Sequence, residues 1–549
     1  MKKHLYSITF IVFCVTIGFW AGSNLNVLEA ESKKGRTIGK EIHIEPGTNK
    51  LNEVLAYIQE CYVDDVDMDS IIESSIPKVL SELDPHSTYI PIDEVEISNS
   101  DLESHFGGIG IRFTIQDDTI NISEVIRNGP SEKVGLMNGD KIITVNDTLF
   151  VGKDVCTNTA AMKKLKGPKG TYVKVGVLRY GEEELLDFEI IRDDIPVQSI
   201  EAAYMIDDKW GYIMIERFAE NTYMEFLVNA FNLSHNNAKG FILDLRGNGG
   251  GYMDVALRIS NEFLKSNDVI VYTEGENCEK FIEYANEYGS FKNMPVIILV
   301  DEASASASEI IAGTIQDNDR GTIIGRRTFG KGLVQQAIEL NDGSIMRLTI
   351  ARYHTPSGRC IQKPYVKGDR ALYDMDILER YNRGEFFSQD SIHQNEELAY
   401  KTKLGRTVYG GGGIMPDIFV SSDTANVTPY VQEAVAQGLV AQFAFKYSNS
   451  KRHSLSNFNG YESLVSHLKS TGVVDEFVKF AKGKGLEPGN DLDGRSYNVL
   501  ERSICANIVY QLQGMLEHVK FINLEDPTVL KAIEVLEKGE AYPKTPVKE

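Results

Sequence analysis

An unbroken apolar run, Val296-Ile297-Ile298-Leu299-Val300, passes directly into Asp301-Glu302-Ala303-Ser304-Ala305-Ser306-Ala307-Ser308-Glu309-Ile310-Ile311. An apolar run without polar alternation predicts a strand buried on both faces, and such strands belong to layered α/β architectures. The segment from Glu309 to Gln316 predicts a helix. Three serines therefore lie where a strand turns into a helix. There the first backbone N–H groups lack intrahelical acceptors and can face a developing oxyanion. On the serines alone, a helix cap is the stronger reading. Downstream, Lys331 stands between Gly330 and Gly332.

The surroundings keep to α/β alternation. From Gln198 onward, strands are expected at 211–215, 240–245, 269–272 and 346–353, with helices at 222–233 and 253–264. Behind 240–245 comes Arg246-Gly247-Asn248-Gly249-Gly250-Gly251-Tyr252, a glycine-rich turn at a strand end, where active sites of α/β folds gather. It has neither the G-x-G-x-x-G spacing of a dinucleotide site nor the G-K-[ST] of a phosphate loop. The residues 364–403 are polar, charged and Tyr-rich, and read as an insertion. The chain returns at Gly405 and runs through the glycines 410–413.

A second unit precedes this one, from about 104 to 194. A glycine-rich turn, Phe106-Gly107-Gly108-Ile109-Gly110-Ile111-Arg112-Phe113, enters a strand. A strand at 120–126, a short helix opened by Gly129-Pro130-Ser131, a strand at 141–146, a helix at 157–165 and two closing strands follow. This order resembles a PDZ domain, with Gly107, Gly108, Ile109 and Gly110 as the loop that holds a peptide's terminal carboxylate. The resemblance implies binding of an extended C-terminal peptide by strand addition.

The ends differ from the middle. Lys2-Lys3 precede an apolar stretch from Leu5 to Ala21, the pattern of a secretory signal, or of an uncleaved anchor, since the run is near the lower limit for spanning a bilayer. Cys14 follows Phe13, so no lipidation is expected there. Residues 31–48 read as a linker, and two helices follow, the second ending at Leu83-Asp84-Pro85-His86-Ser87. Beyond Thr428 helices are expected near 429–446, 460–483, 494–517 and 527–538, with no catalytic constellation. The six cysteines are scattered without a C-x-x-C pair, so neither a disulfide framework nor a zinc site is indicated. A net charge of −22 argues against nucleic acid as a partner.

Ser306 and Lys331 are a candidate pair for chemistry, although a lysine between glycines reads on its own as a surface lysine in a turn. A serine hydroxyl needs a base, and a lysine can be one when burial brings its pKa down from about 10.4. His86 and His354 read as structural. Ser304-Ala305-Ser306-Ala307-Ser308-Glu309, Gln316-Asp317, Arg320, Gly325 and Thr328-Phe329-Gly330-Lys331-Gly332 with Val334-Gln335 resemble the signature of the carboxyl-terminal processing proteases, Ser/Lys endopeptidases with a built-in PDZ domain. Leu83 to Ser87, Asp244-Leu245-Arg246 and Thr355-Pro356-Ser357-Gly358 extend the similarity over about 50–420.

The resemblance implies Ser306 as nucleophile, since it stands 331 − 306 = 25 residues before Lys331, the family's spacing. It implies Lys331 as base, Gln335 as the residue that orients the lysine, and an oxyanion hole from the N–H of Ala307 with that of Gly250 or Gly251. Ser304 and Ser308 are left as turn and cap residues. No metal or cofactor is called for.

The implied fold is multidomain: a PDZ module that is β-rich and a glycine-lined mixed α/β serine protease core, with helical N- and C-terminal segments. The expected division is 1–30 signal peptide or membrane anchor, 31–100 linker and helical segment, 101–195 PDZ domain, 196–425 protease core with the insertion near 364–403, and 426–549 helical domain. The expected protein is exported to the periplasm or cell envelope, with the N-terminus as an optional inner-membrane anchor. It cleaves proteins or peptides with free C-termini, and its helical segments are the surface for a homo-oligomer or an adaptor. The competing readings are an inactive PDZ scaffold and an acyl-CoA-type hydrolase.

Overall fold

A computed structural model describes residues 50–544 except 101, 423–426, 489–491 and 493. The signal or anchor expected at 1–30 and the linker at 31–48 lie outside the described residues. The helix Lys50–Cys61 falls in a small first unit, residues 1–68 with 275–279, and the remaining residues form a second.

The second unit is built on a six-stranded sheet in the order Ile200–Met205, Trp210–Ile215, Gly240–Asp244, Val296–Val300, Thr322–Gly325 and Ile418–Phe419. The first pair is antiparallel and the rest are parallel. Every residue of Val296–Val300 is buried, as its uninterrupted apolar run requires. Helices Thr222–His235, Met253–Asn261 and Ala307–Asp317 cover one face through Phe226, Val255, Ile259, Ile311 and Ile315.

The other face is closed from the far end of the chain. Val529, Ala532, Val535 and Leu536 of the helix Pro527–Glu537 pack on Tyr212, Ile242, Ile297 and Leu299. The expected boundary at 426 is therefore corrected: the last helix completes the protease-like core, because a parallel sheet is apolar on both faces and needs both covered. The separate helical cluster centres on residues 430–521. Its expected long helices are each interrupted by a glycine in the left-handed region: Gly438 (φ 66°), Gly472 (φ 67°) and Gly514 (φ 86°).

A second sheet stands beside the first. Its long strand Ile345–His354 pairs with Leu333–Glu339, with Thr88–Ile90 and with residues 272–274. This places the turn Asp84–Ser87 against the strand that follows Lys331. The β-rich module has the expected elements: strands Ile111–Gln116, Thr119–Val125, Lys141–Val145, Tyr172–Leu178 and Leu186–Ile191 form its sheet, with helices Pro130–Val134 and Asn158–Leu165. Gly135 ends the first of these helices at φ 89°.

Candidate active site

Ser306 sits between the end of Val296–Val300 and the first turn of Ala307–Asp317, at φ 55° and ψ −113°. A non-glycine residue held there is strained, and such strain concentrates at functional sites. Ser306 itself occupies the N-cap position, where the sequence reading had given the cap to its neighbours.

The neighbours clamp the glycine loop instead. The Ser304 hydroxyl donates to the Leu245 carbonyl at 2.8 Å, and that of Ser308 to the Asn248 carbonyl at 2.9 Å. Both serines are fully buried. The Ser306 hydroxyl donates to no protein group among the described residues, so it is the one of the three free to be a nucleophile.

The clamped loop follows from its own hydrogen bonds. Asn248 donates from Nδ2 to the Ile215 carbonyl at 2.8 Å and accepts the Gly250 N–H on Oδ1 at 2.8 Å. Gly250, at φ 107°, lies directly on the serine turn: a Cβ there would stand 2.8 Å from Ser306 Cβ and 3.2 Å from the Ala307 nitrogen. Gly251 sits at φ 144°, where a Cβ would meet the Phe218 carbonyl oxygen at 2.2 Å. The N–H groups of Ala307 and Gly251 have no protein acceptor among the described residues.

Glu309 joins the two halves of the site. It is fully buried. Its Oε2 accepts the backbone N–H of Ser306 at 2.9 Å and of Lys331 at 2.8 Å. Its Oε1 accepts the Thr328 hydroxyl at 2.5 Å and the Gly330 N–H at 2.7 Å. Burial pushes this carboxyl up, against the pull of those four donors. Sequence reasoning gave Glu309 no role, although a serine followed three residues later by glutamate is the spacing of a capping box.

Lys331 Nζ donates to Gln335 Oε1 at 3.0 Å. Gln335 Nε2 donates to the His86 carbonyl, which fixes the amide so that its oxygen faces the lysine. Burial lowers the Lys331 pKa from its ordinary 10.5, and the nearby Arg347 guanidinium lowers it further, while Glu309 and Asp84 oppose. No hydrogen bond joins Ser306 Oγ to Lys331 Nζ in this state; their backbones are held through Glu309. Asp84 shapes the His86 turn by accepting the N–H groups of His86 and Ser87 at 2.8 and 2.9 Å. His86, with Nε2 on the Tyr373 hydroxyl at 2.9 Å, is lowered to about 4 by burial and by Lys331.

The segment 364–403 is no mere insertion. Arg380 is buried and donates to the carbonyls of Thr328 at 3.0 Å and Arg327 at 2.7 Å, and it pairs with Glu385 at 3.2 Å. It supports the lysine loop from behind, a role that polar composition does not reveal.

In the β-rich module, Gly108, Ile109 and Gly110 line a groove of about 860 Å³ between Ile111–Gln116 and Asn158–Leu165. Gly110 takes φ 75°, and the N–H groups of Ile109 and Gly110 have no protein acceptor among the described residues. Gly107 is not part of the groove. It pairs with Asp194 in a short ladder, and a Cβ there would meet the Gly167 carbonyl oxygen at 2.2 Å, so its role is close packing. The five cysteines from Cys61 onward are free thiols, and no cluster of metal-ligating side chains occurs among the described residues.

Comparison with known proteins agrees with this layout. Residues 209–372 match peptidase family S41, 107–190 match the PDZ domain family, and 430–514 match a family of unknown function, DUF8443. The chain is similar to a carboxy-terminal-processing protease of Bartonella bacilliformis, 33% identical over 337 residues, covering 60% of this chain and 76% of that protein. It is also similar to the carboxy-terminal processing protease CtpA of Bacillus subtilis, 34% identical over 367 residues, covering 65% and 78%. Among solved structures, a photosystem II D1 C-terminal processing protease aligns over 67% of this chain and 92% of its own, at 22% identity and a TM-score of 0.34.

Proposed function

This chain belongs to the carboxy-terminal processing proteases of peptidase family S41, and from that premise we propose that it is an exported endopeptidase using a Ser306–Lys331 dyad. The observation that carries the dyad is the shared carboxylate: Glu309 Oε2 holds the backbones of both residues, beside a serine hydroxyl with no internal acceptor. The PDZ module recognises the substrate's free C-terminus, its carboxylate held on the N–H groups of Ile109 and Gly110.

Lys331, its pKa lowered by burial, accepts the Ser306 proton in its neutral form as Oγ attacks the peptide carbonyl. Its amine turns from Gln335 toward the serine as the substrate seats, since catalytic hydrogen bonds tighten in the substrate complex. The oxyanion is met by the N–H groups of Ala307 and Gly251. Gly251 is preferred to Gly250 because the Gly250 N–H is already bound to Asn248. Each such donor contributes about 3 kcal/mol. The lysinium protonates the leaving amine, an acyl-enzyme remains on Ser306, and water, deprotonated by Lys331, releases it.

Export to the periplasm or cell envelope is supported by Lys2-Lys3 and the apolar stretch that follows them. No helix among the described residues is long and apolar enough to cross a membrane. The test is cleavage of an unstructured protein with a free C-terminus. Ser306→Ala eliminates turnover while leaving the melting temperature near that of the native chain; cleavage at the native rate by the variant would overturn the assignment.

A further inference from the structure

The PDZ groove has a third wall that the module does not supply. Opposite its strand and helix stand Glu216 and Arg217, from the turn after Trp210–Ile215, and Tyr510, from the helix Gly494–Gln513 within the region of unknown function. Arg112 of the groove makes a bidentate pair with Glu201 at 3.1 and 2.7 Å. Outside the groove, Asn449 Nδ2 of the helical region donates to the Gly139 carbonyl of the module at 3.2 Å.

The pleat of the receiving strand decides which peptide side chains meet this wall. Ile111, Phe113 and Ile115 pack on the module's own core, while Arg112 between them reaches across to Glu201. A peptide added to Ile111–Gln116 shares that alternation. Its terminal side chain faces the apolar floor near Ile109, Met162 and Leu165, and its penultimate side chain faces the side of Arg112. Arg112 and Arg217 already pair with Glu201 and Glu216 at 2.7 and 2.8 Å, so the charges of these two arginines are matched. The ring of Tyr510 is its apolar part.

We propose that Tyr510 is a specificity-determining residue that selects a large aromatic or aliphatic side chain at the penultimate position of the substrate's C-terminus. This rests on the C-terminal recognition proposed above, and it gives the helical domain a role as part of the peptide site.

The test uses the full-length Ser306→Ala chain and fluorescent decapeptides that share an apolar last residue and carry Leu, Tyr, Gly or Asp before it. Fluorescence anisotropy is expected to show the Leu and Tyr peptides binding about five- to tenfold more tightly than the Gly and Asp peptides. Tyr510→Ala is expected to erase that preference with the melting temperature retained, and Tyr510→Phe to keep it. A benzophenone at the penultimate position is expected to cross-link the native chain within the tryptic segment holding Tyr510. Equal binding of all four peptides, a preference that survives in folded Tyr510→Ala, or a cross-link elsewhere overturns the inference. Loss of affinity on amidating the C-terminus shows that C-terminal recognition stands on its own, so those failures fall on Tyr510 alone. Equal binding of amidated and free-acid peptides overturns both readings.

Discussion

Burial is what would make Lys331 usable as the proposed base. A solvated lysine is almost wholly protonated at neutral pH, whereas removal from water and the neighbouring Arg347 both favour the neutral amine. Because the base must be unprotonated, kcat/KM is expected to rise with pH through a depressed Lys331 pKa, below 10.5, and then level off. Arg347→Ala removes a like charge, raises that pKa and moves the ascending limb to higher pH. An unmoved limb in Arg347→Ala, measured between pH 5 and 10, contradicts this. His86, lowered to about 4, is neutral throughout that range and adds no inflection of its own. The proposal of Ser306 and Lys331 comes from the family resemblance in the sequence and the spacing it implies. The carbonyl of His86 that fixes Gln335 was not legible there, because it depends on a strand, Thr88–Ile90, pairing with residues more than two hundred positions away.

At the scale of elements, the site is a strand end, a glycine loop, a helix start and a second loop sewn together by hydrogen bonds to backbone. Ser304 and Ser308 sew the glycine loop to the helix start, and Glu309 sews the helix start to the lysine loop. Glu309→Gln would turn an amide N–H₂ toward backbone N–H donors, leaving buried groups unmatched. We expect a loss of about 2–4 kcal/mol in unfolding free energy, measured by denaturant titration, and a loss of activity. Native stability and turnover in this variant would show that the lysine loop is held by something else. The α/β alternation and the order of the PDZ elements could be read from periodicity and turn residues. The breaks at Gly438, Gly472 and Gly514 could not, because a helical pattern continues across each glycine and only the packing of the flanking helices demands the left-handed turn.

For the whole molecule, the order of the chain and the order of the layers differ. The six-stranded sheet of this chain is covered on one face by a helix that comes after the helical domain, and Arg246 beside the glycine loop pairs with Asp526 at that helix's start, at 2.8 Å. Leu536→Ala, far from the serine, should therefore lower unfolding free energy by about 2–4 kcal/mol through a cavity under the central strands. An unchanged melting curve would mean the helix is not part of the core. Sequence reasoning missed this because an amphipathic helix shows that it has a partner without showing which.

The most direct test of the dyad is the cleavage rate of an unstructured protein substrate by the Lys331→Ala chain at pH 8, beside the native chain and Ser306→Ala. Lys331→Ala is expected to fall to the level of Ser306→Ala, by a factor of about a thousand or more, with its fold intact. Turnover at the native rate in Lys331→Ala would contradict the dyad.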